Sequence, residues 1–305
     1  MKTIDKAASE RKYKRSALIS KIVINSAIVG LFIYAISMLI PFIWMVFTSF
    51  KDNIDYTLNT FSLPQRWHFD NYVKVFKMLR ITVIDWEVGS RELGIEHMAL
   101  NSLIASGLGS FIGLIQPTLT AYIVSKYRFR GRNFIYALGI FVMILPVYGS
   151  LAIALRFGKF VGYYDNLPLL VLLGGSPFGF TFLLLYGAFK NLQWEYAEAA
   201  FIDGASHFRV MIQIFFPMML PTFATLYVLS FIGSWSDYMT TVIWTPSWPT
   251  LGFGVWMFQN KASLYGAGVP QILAGFIIIG SITAALYLSA QNLILSKLAV
   301  GGLKG

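Results

Sequence analysis

Two groups of residues carry recognisable polar chemistry in this 305-residue chain. The first runs from Glu195 to Pro217, Glu-Tyr-Ala-Glu-Ala-Ala-Phe-Ile-Asp-Gly-Ala-Ser-His-Phe-Arg-Val-Met-Ile-Gln-Ile-Phe-Phe-Pro, a polar island between two apolar runs of membrane length. It is too short to be a domain. Its pattern is helix, turn, helix: Tyr196, Ala199 and Ala200 fall on one helical face, Asp203 and Gly204 supply a break, and Ser206 can cap the helix that follows. That shape suits a knob that projects from a membrane into a socket on another protein. The second group is Tyr227, Ser230, Ser234, Asp237 and Thr241, at spacings of three, four, three and four. On a helix that continues past Ser236 all five share a face. Hydroxyls on such a face can exchange hydrogen bonds with a hydroxyl-rich solute without burying a charge, which makes the stripe a candidate wall of a solute path, with Asp237 near its outer mouth. The competing reading is a helix contact held together by hydroxyls.

Other chemistry is excluded. No Gly-x-x-x-x-Gly-Lys-Ser/Thr element occurs, so the chain has no phosphate-cradling loop and any ATP-driven motor must be another polypeptide. No Ser-His-Asp or paired-carboxylate arrangement lies at membrane depth. Cysteine is absent, which removes disulfides, thiol catalysis and Cys-type metal sites, and the three scattered histidines, His68, His97 and His207, do not make a metal centre.

The elements that must position these residues follow from composition. The chain is 56% hydrophobic and 12% charged, against about a quarter charged in soluble domains. Six runs contain no Asp, Glu, Lys, Arg or His: Ile22 to Phe50, Leu100 to Ser125, Phe134 to Leu155, Pro168 to Phe189, Ile214 to Ser236 and Val269 to Ser296. Each reaches the roughly 20 residues a helix needs to cross a bilayer. Backbone groups in lipid must be satisfied within a segment, and nothing alternates like a barrel strand, so the expectation is an all-α membrane protein with six transmembrane helices. The first run is too long for a signal-peptide core and is expected to stay as an anchor.

Positive charge sets the orientation. The first 21 residues hold seven Lys and Arg, and the loop 126–132 holds four, so both segments are expected on the cytoplasmic side. Six crossings then put the loop carrying Glu198, and both termini, on that side. The resulting layout is a cytoplasmic tail 1–21, a six-helix permease domain 22–296 and a cytoplasmic tail 297–305. Within it lie a coupling loop 190–213 and two extracytoplasmic loops, 51–99 and 237–268. The net charge of +10 flanks apolar runs and lines no polar face, which argues against a nucleic-acid partner.

In the first outward loop, Tyr72, Val75, Phe76 and Leu79 recur at helical spacing and predict a short helix on the membrane surface or against the bundle. Trp235, Trp244, Trp248 and Trp256 lie in or beside the second; an interfacial aromatic belt and a sugar-stacking role both fit them. Ser102, Ser106 and Ser110, and likewise Ser281, Ala285 and Ser289, repeat every four residues, a pattern that lets helices pack closely. Pro41, Pro117, Pro146, Pro177, Pro217 and Pro221 interrupt or begin helices. Ion-coupled carriers keep ionisable groups or broken helices within the membrane, and these runs hold no ionisable residue, so an autonomous secondary carrier fits less well than a path for a neutral solute.

Glu198-Ala199-Ala200, three residues, Gly204, nine residues, Ile214 and then Pro217 resemble the EAA loop of permease subunits in binding-protein-dependent ABC importers. The string Ala199-Ala-Phe-Ile-Asp-Gly-Ala205 is similar to the carbohydrate branch of that family, of the maltose and oligosaccharide type. Pro41-Phe42-Ile43-Trp44 with Thr48-Ser49-Phe50-Lys51, Asn101-Ser102-Leu103, Ala121-Tyr122 with Phe129-Arg130-Gly131-Arg132, and the terminal Gly301-Gly302-Leu303-Lys304-Gly305 also resemble family segments. The chain departs at Phe216 (usually Leu), Gln193-Trp194 (often Pro before the EAA helix) and Trp235-Ser236 (usually Trp-Asn).

The resemblance implies a non-catalytic, multi-pass permease subunit in a prokaryotic cytoplasmic membrane. Its partners would be a second permease, two ATPase subunits that bind the ATP and Mg, and an extracytoplasmic solute-binding protein; the chain itself would hold no cofactor. Glu195, Glu198, Ala199, Ala200, Asp203 and Gly204 would dock on the ATPase, and the solute would be an oligosaccharide or related sugar, with another neutral solute as the alternative.

Overall fold

The computed structural model describes residues 2–85, 89–144, 150–261 and 266–301, with side chains from 18 onward except at 84–85, 150, 286 and 289–301. The chain divides into two compact units, one of Met1–Lys74 with Ala267–Ile277, the other of Val75–Gly266 with Ile278–Gly305.

In the first unit a single helix, Lys2–Ser49, is apolar and exposed on all sides from Ile22 to Ile43, as a helix facing lipid must be, and becomes buried at its end, where Thr48 and Ser49 are enclosed. It ends where Lys51 turns the chain. Lys51 is completely buried, and its ammonium donates to the carbonyl oxygens of Asn59 and Thr60 and to Ser62 Oγ, thereby capping the helix Asn53–Leu58. Asn71 Nδ2 donates to the Ser49 and Lys51 carbonyls at 2.9 and 2.8 Å, and Gln271 Nε2 donates to Asn71 Oδ1 at 2.9 Å. Phe50 packs among Trp67, Phe69 and Tyr72 with centroids 5.0–5.2 Å apart.

The expected helix around Tyr72 is present as Asp70–Met78, with Val75 and Leu79 buried. The all-α expectation needs one correction, because Ile81–Asp85 and Gly89–Leu93 pair as an antiparallel hairpin. Ile81-Thr82-Val83-Ile84 is β-branched throughout, and its buried Ile81 and Val83 alternate with exposed Thr82.

Among the described residues three helices are long and apolar enough to cross a membrane: Leu18–Ser49, Ile95–Lys126 and His207–Ser236. Both of the latter contain a widened turn, Leu103–Leu108 and Met211–Phe215, of the kind in which N–H groups reach five residues back. The third run forms the helices Arg132–Ile144 and Ser150–Val161; Pro146 lies outside the described residues. The fourth run is not one helix. Leu167–Leu173 stops at Gly174, irregular backbone continues to Gly179 at φ +129°, and Phe180–Asn191 resumes. Gly174-Gly175-Ser176-Pro177 supplies the break.

The fifth run also ends earlier than the stripe required. Its helix stops at Ser236, and Asp237 accepts from the Met239 and Thr240 N–H groups to start a separate helix, Met239–Trp244. A helix Leu251–Lys261 follows, and Val269–Gly301 closes the chain; residues 302–305 and the side chain of Ser289 lie outside the described part.

The core of the second unit lies between Gly109–Lys126 and Phe180–Asn191, where Tyr122, Phe182, Leu185 and Phe189 are fully enclosed. Gly139 permits the approach of Arg132–Ile144, since a Cβ there would stand 2.6 Å from the Phe182 ring. Ser102, Ser106 and Ser110 are buried as close-packing residues should be, and Ser102 Oγ additionally accepts from the Leu251 N–H at 2.8 Å.

Candidate functional site

The polar island folds as its spacing predicts. Glu195–Ile202 is a helix, and Gly204 at φ +80° closes it: Ala205 N–H donates to the Ala200 carbonyl at 2.9 Å and Gly204 N–H to that of Phe201 at 3.0 Å. These two bonds are the Schellman arrangement, which needs a left-handed residue. Ser206 Oγ then accepts from Arg209 N–H at 3.3 Å and caps the next helix, again as its position predicts.

One side of this helix faces the protein. Ala197 is fully buried, and Trp194 stacks on Phe215 at 6.2 Å and 17°. Phe201 meets His207 at 4.6 Å, and Tyr127 meets both Trp194 and His207, with its hydroxyl 3.2 Å from His207 Nδ1. Lys126 donates to the Leu192 carbonyl just before the helix and lies 4.9 Å over the Phe215 ring. The other side is free. Glu195, Tyr196, Glu198, Ala199, Asp203 and Gly204 are exposed, as are Ile202 at 86% and Phe208. Ala200, one turn on from Tyr196 and on the same face, is partly buried. A groove of about 830 Å³ beside the helix sets Lys126, Arg128, Arg132 and Lys190 against Glu195 and Glu198.

The sequence marked Lys126 only as topological charge. Its role in clamping the helix base needed Leu192 and Phe215, which are brought to it by folding.

The stripe divides. Ser230, Ser234, Asp237 and Thr241 line one cavity of about 380 Å³. Tyr227 instead lines an apolar groove with Phe111, Leu114 and Phe223. Two of these four stripe residues are already engaged. Asp237 caps Met239–Trp244 and also accepts from Thr240 Oγ1, and Thr241 Oγ1 pairs with Thr250 Oγ1 at 3.0 Å.

The rest of the lining includes Ser110, Gly174 and Gly175 of the broken helix, and the Tyr163 and Trp244 rings; the sequence offered Trp244 a sugar-stacking role and marked Ser110 by its spacing, but did not point to Tyr163 or the two glycines. Of the four tryptophans, Trp235 is anchored by donating to Thr283 Oγ1 at 2.9 Å, Trp248 donates to the Asp165 carbonyl, and Trp256 stacks on Tyr238. Asp165, at φ +54°, also accepts from Ser247 N–H and Oγ at 2.8 and 2.7 Å, which ties the 163–166 turn to the 244–248 loop. Among the described residues no group of His and carboxylates could hold a metal ion.

Residues 93–295 match the family described as the binding-protein-dependent transport system inner membrane component. A probable ABC transporter permease protein YurM of Bacillus subtilis is 28% identical over 284 residues, covering 92% of this chain and 89% of the relative. The galactooligosaccharides transport system permease protein GanQ of the same organism is 27% identical, covering 89% and 92%. Among solved structures, a chain of a bacterial ABC transporter that imports the acidic polysaccharide alginate superposes with a TM-score of 0.68 at 20% identity, covering 88% of this chain and 94% of that one.

Proposed function

This chain belongs to the family of inner-membrane components of binding-protein-dependent transport systems, and we propose that it works as the sugar-path permease whose Glu195–Ile202 helix seats in an ATPase subunit. It is a bacterial membrane protein and a permease subunit of an ABC sugar importer, non-catalytic in itself. The assembly we infer adds a second permease, two ATPase subunits that bind ATP and Mg, and an extracytoplasmic solute-binding protein. In it the chain crosses the membrane six times, with both termini in the cytoplasm.

The observation that carries this reading is the knob at Glu195–Gly204. An aromatic clamp holds its inner side, while its outer side presents acids and apolar side chains with no cover among the described residues. A solvated helix of eight residues would be marginal alone, so the clamp at Trp194, Phe215 and Lys126 explains why it stands formed and rigid. ATP-driven closure of the motor pair would pull on Glu195, Glu198, Ala199, Ala200, Asp203 and Gly204. The pull passes through the clamp into Ile95–Lys126 and His207–Ser236, and alternately opens the solute path past Ser230, Ser234, Asp237 and Thr241 to either side. Tyr227, on the apolar groove, packs beside that path.

Glu198→Lys reverses the charge offered to the socket, and like-charge juxtaposition across an interface costs several kcal/mol. Gly204→Val forces a β-branched residue to positive φ and opens the turn. Both variants should insert normally, yet recovery of the ATPase subunits from detergent extracts should fall by about tenfold or more. Wild-type recovery together with wild-type sugar uptake in both variants overturns the docking assignment.

A further inference from the structure

Beyond a general path, the second unit contains a cavity with the parts of a sugar-binding site. Ser110 is only 4% exposed, lines this cavity, and its Oγ has no hydrogen-bond partner. That oxygen is itself shut off from the open space, so Ser110 shapes this side by close packing and not as a donor to a solute. Ser230 and Ser234 line the cavity from the adjacent helix and bring two hydroxyls to it. The third side is the break after Leu173. Non-helical backbone at membrane depth is tolerated where it lines a cavity, and interrupted helices mark binding sites in transporters. Here Gly175 reaches the cavity.

The fourth side is aromatic. Tyr163 and Trp244 lie 5.8 Å apart at 36°, and Gly158 leaves room for them, since a Cβ there would stand 2.8 Å from Tyr163 and 3.0 Å from Trp244. Among the described lining residues there is no cation, and the one carboxylate, Asp237, is spent on capping a helix. The chemistry that fits the Ser230 and Ser234 hydroxyls in one cavity with an aromatic face is that of a neutral ring with hydroxyls at its edge and C–H groups on its face. The volume of about 380 Å³ lies near the lower end of the roughly 300–1,000 Å³ typical of small-molecule sites, which suits a short stretch of saccharide.

We propose that this cavity is a saccharide subsite built into this subunit, with Tyr163 and Trp244 as the stacking platform and Ser230 and Ser234 as the hydrogen-bonding wall. The proposal rests on the sugar-permease reading above and assigns selectivity to this chain rather than to its partner permease alone. Asp237 and Thr241 hold the platform in place through the Met239–Trp244 helix.

The test uses the complete transporter in cells supplied with radiolabelled galactobiose, maltotriose or raffinose at limiting concentration. Trp244→Ala should lower uptake of the transported sugar by about five- to tenfold, the loss expected from one aromatic contact. Trp244→Phe, which keeps a ring face, should retain most of it. Recovery of the ATPase subunits checks that each variant assembles. Independently, Ser234→Cys introduces the sole thiol of the chain, and its labelling by a water-soluble maleimide should slow when the transported sugar is present. This arm decides the matter even where Trp244→Ala fails to assemble. Uptake unchanged in an assembled Trp244→Ala variant, or labelling of Ser234→Cys indifferent to sugar, overturns the subsite and leaves the permease reading standing. A wild-type transporter that imports none of the three sugars overturns the sugar reading, and the subsite with it.

Discussion

Lys51 shows how a buried cation can be fixed by neutral oxygens, without a carboxylate among its hydrogen-bond partners. It is fully buried, yet its hydrogen-bond partners are the Asn59 and Thr60 carbonyls and a serine hydroxyl, at the C-terminal end of Asn53–Leu58. A cation there is favoured twice over, by the hydrogen bonds and by the negative end of the helix dipole. Lys51→Met keeps the stem's apolar bulk and removes the donor, leaving those carbonyls unpaired. Loss of one such charge-assisted bond is worth about 1.5–3 kcal/mol, so thermal unfolding in detergent should shift downward by that order. An unchanged midpoint would show that the carbonyls find water instead. The sequence displayed Lys51 only as the residue ending Thr-Ser-Phe-Lys. Nothing local announces a buried lysine, because its partners lie eight to eleven residues further on. Gly204 is the opposite case: the left-handed turn it makes could be read from its place after a helical pattern.

At the scale of elements, what was legible follows the range of the forces. The island's two caps depend on neighbours within three to five residues, and both formed as the spacing indicated. The break at Gly174–Gly179 was visible as Gly-Gly-Ser-Pro but was masked by counting uncharged residues, and the hairpin was masked by the acids around it. Of the Tyr163–Trp244 platform the sequence offered Trp244 a stacking role but gave no sign of its partner, since the loop clamp at Asp165 and Ser247, 82 residues apart, brings the two rings together. Pro217 adds a geometric element. It cannot donate to the carbonyl of Gln213, and its ring crowds that group. The turn before it is widened, with Phe216 N–H reaching back to the Met211 carbonyl. That wide turn sets the angle of the island relative to the helix Phe216–Ser236. Pro217→Ala restores the donor and allows an ordinary α turn, which would rotate the preceding residues by about 100°. The variant should be more stable, by up to about 3 kcal/mol, while sugar-stimulated ATP hydrolysis by the assembled transporter falls. Higher stability with undiminished stimulation would separate the wide turn from coupling.

For the whole molecule the decisive quantity is the parity of membrane crossings. Leu18–Ser49, Ile95–Lys126 and His207–Ser236 are long and apolar enough to span, whereas the stretch between the second and third is built from shorter pieces. Arg132–Ile144 and Ser150–Val161 lead away from the basic loop 126–132, and Leu167–Leu173 and Phe180–Asn191 lead to Glu195. If each pair makes one crossing, Arg130 and Ser206 lie on the same side, despite the break at 174–179. If the broken pair dips in and returns instead, they lie on opposite sides. The charge distribution favours the first outcome, since the four cations of 126–132 and the flank of the island would then both be cytoplasmic. The Asp165–Ser247 tie agrees with it, because it places the 163–166 turn beside the loop that follows His207–Ser236, one crossing further on. The absence of native cysteine makes the test direct. Single variants Arg130→Cys, Ser206→Cys and Pro246→Cys are exposed positions on three of the connections, the 163–166 turn lying between the first two. In intact cells a membrane-impermeant maleimide should label Pro246→Cys alone, and permeabilisation should add the other two together. Labelling of Ser206→Cys in intact cells would place the Glu195–Ile202 helix out of reach of any cytoplasmic ATPase and overturn the docking mechanism with the topology.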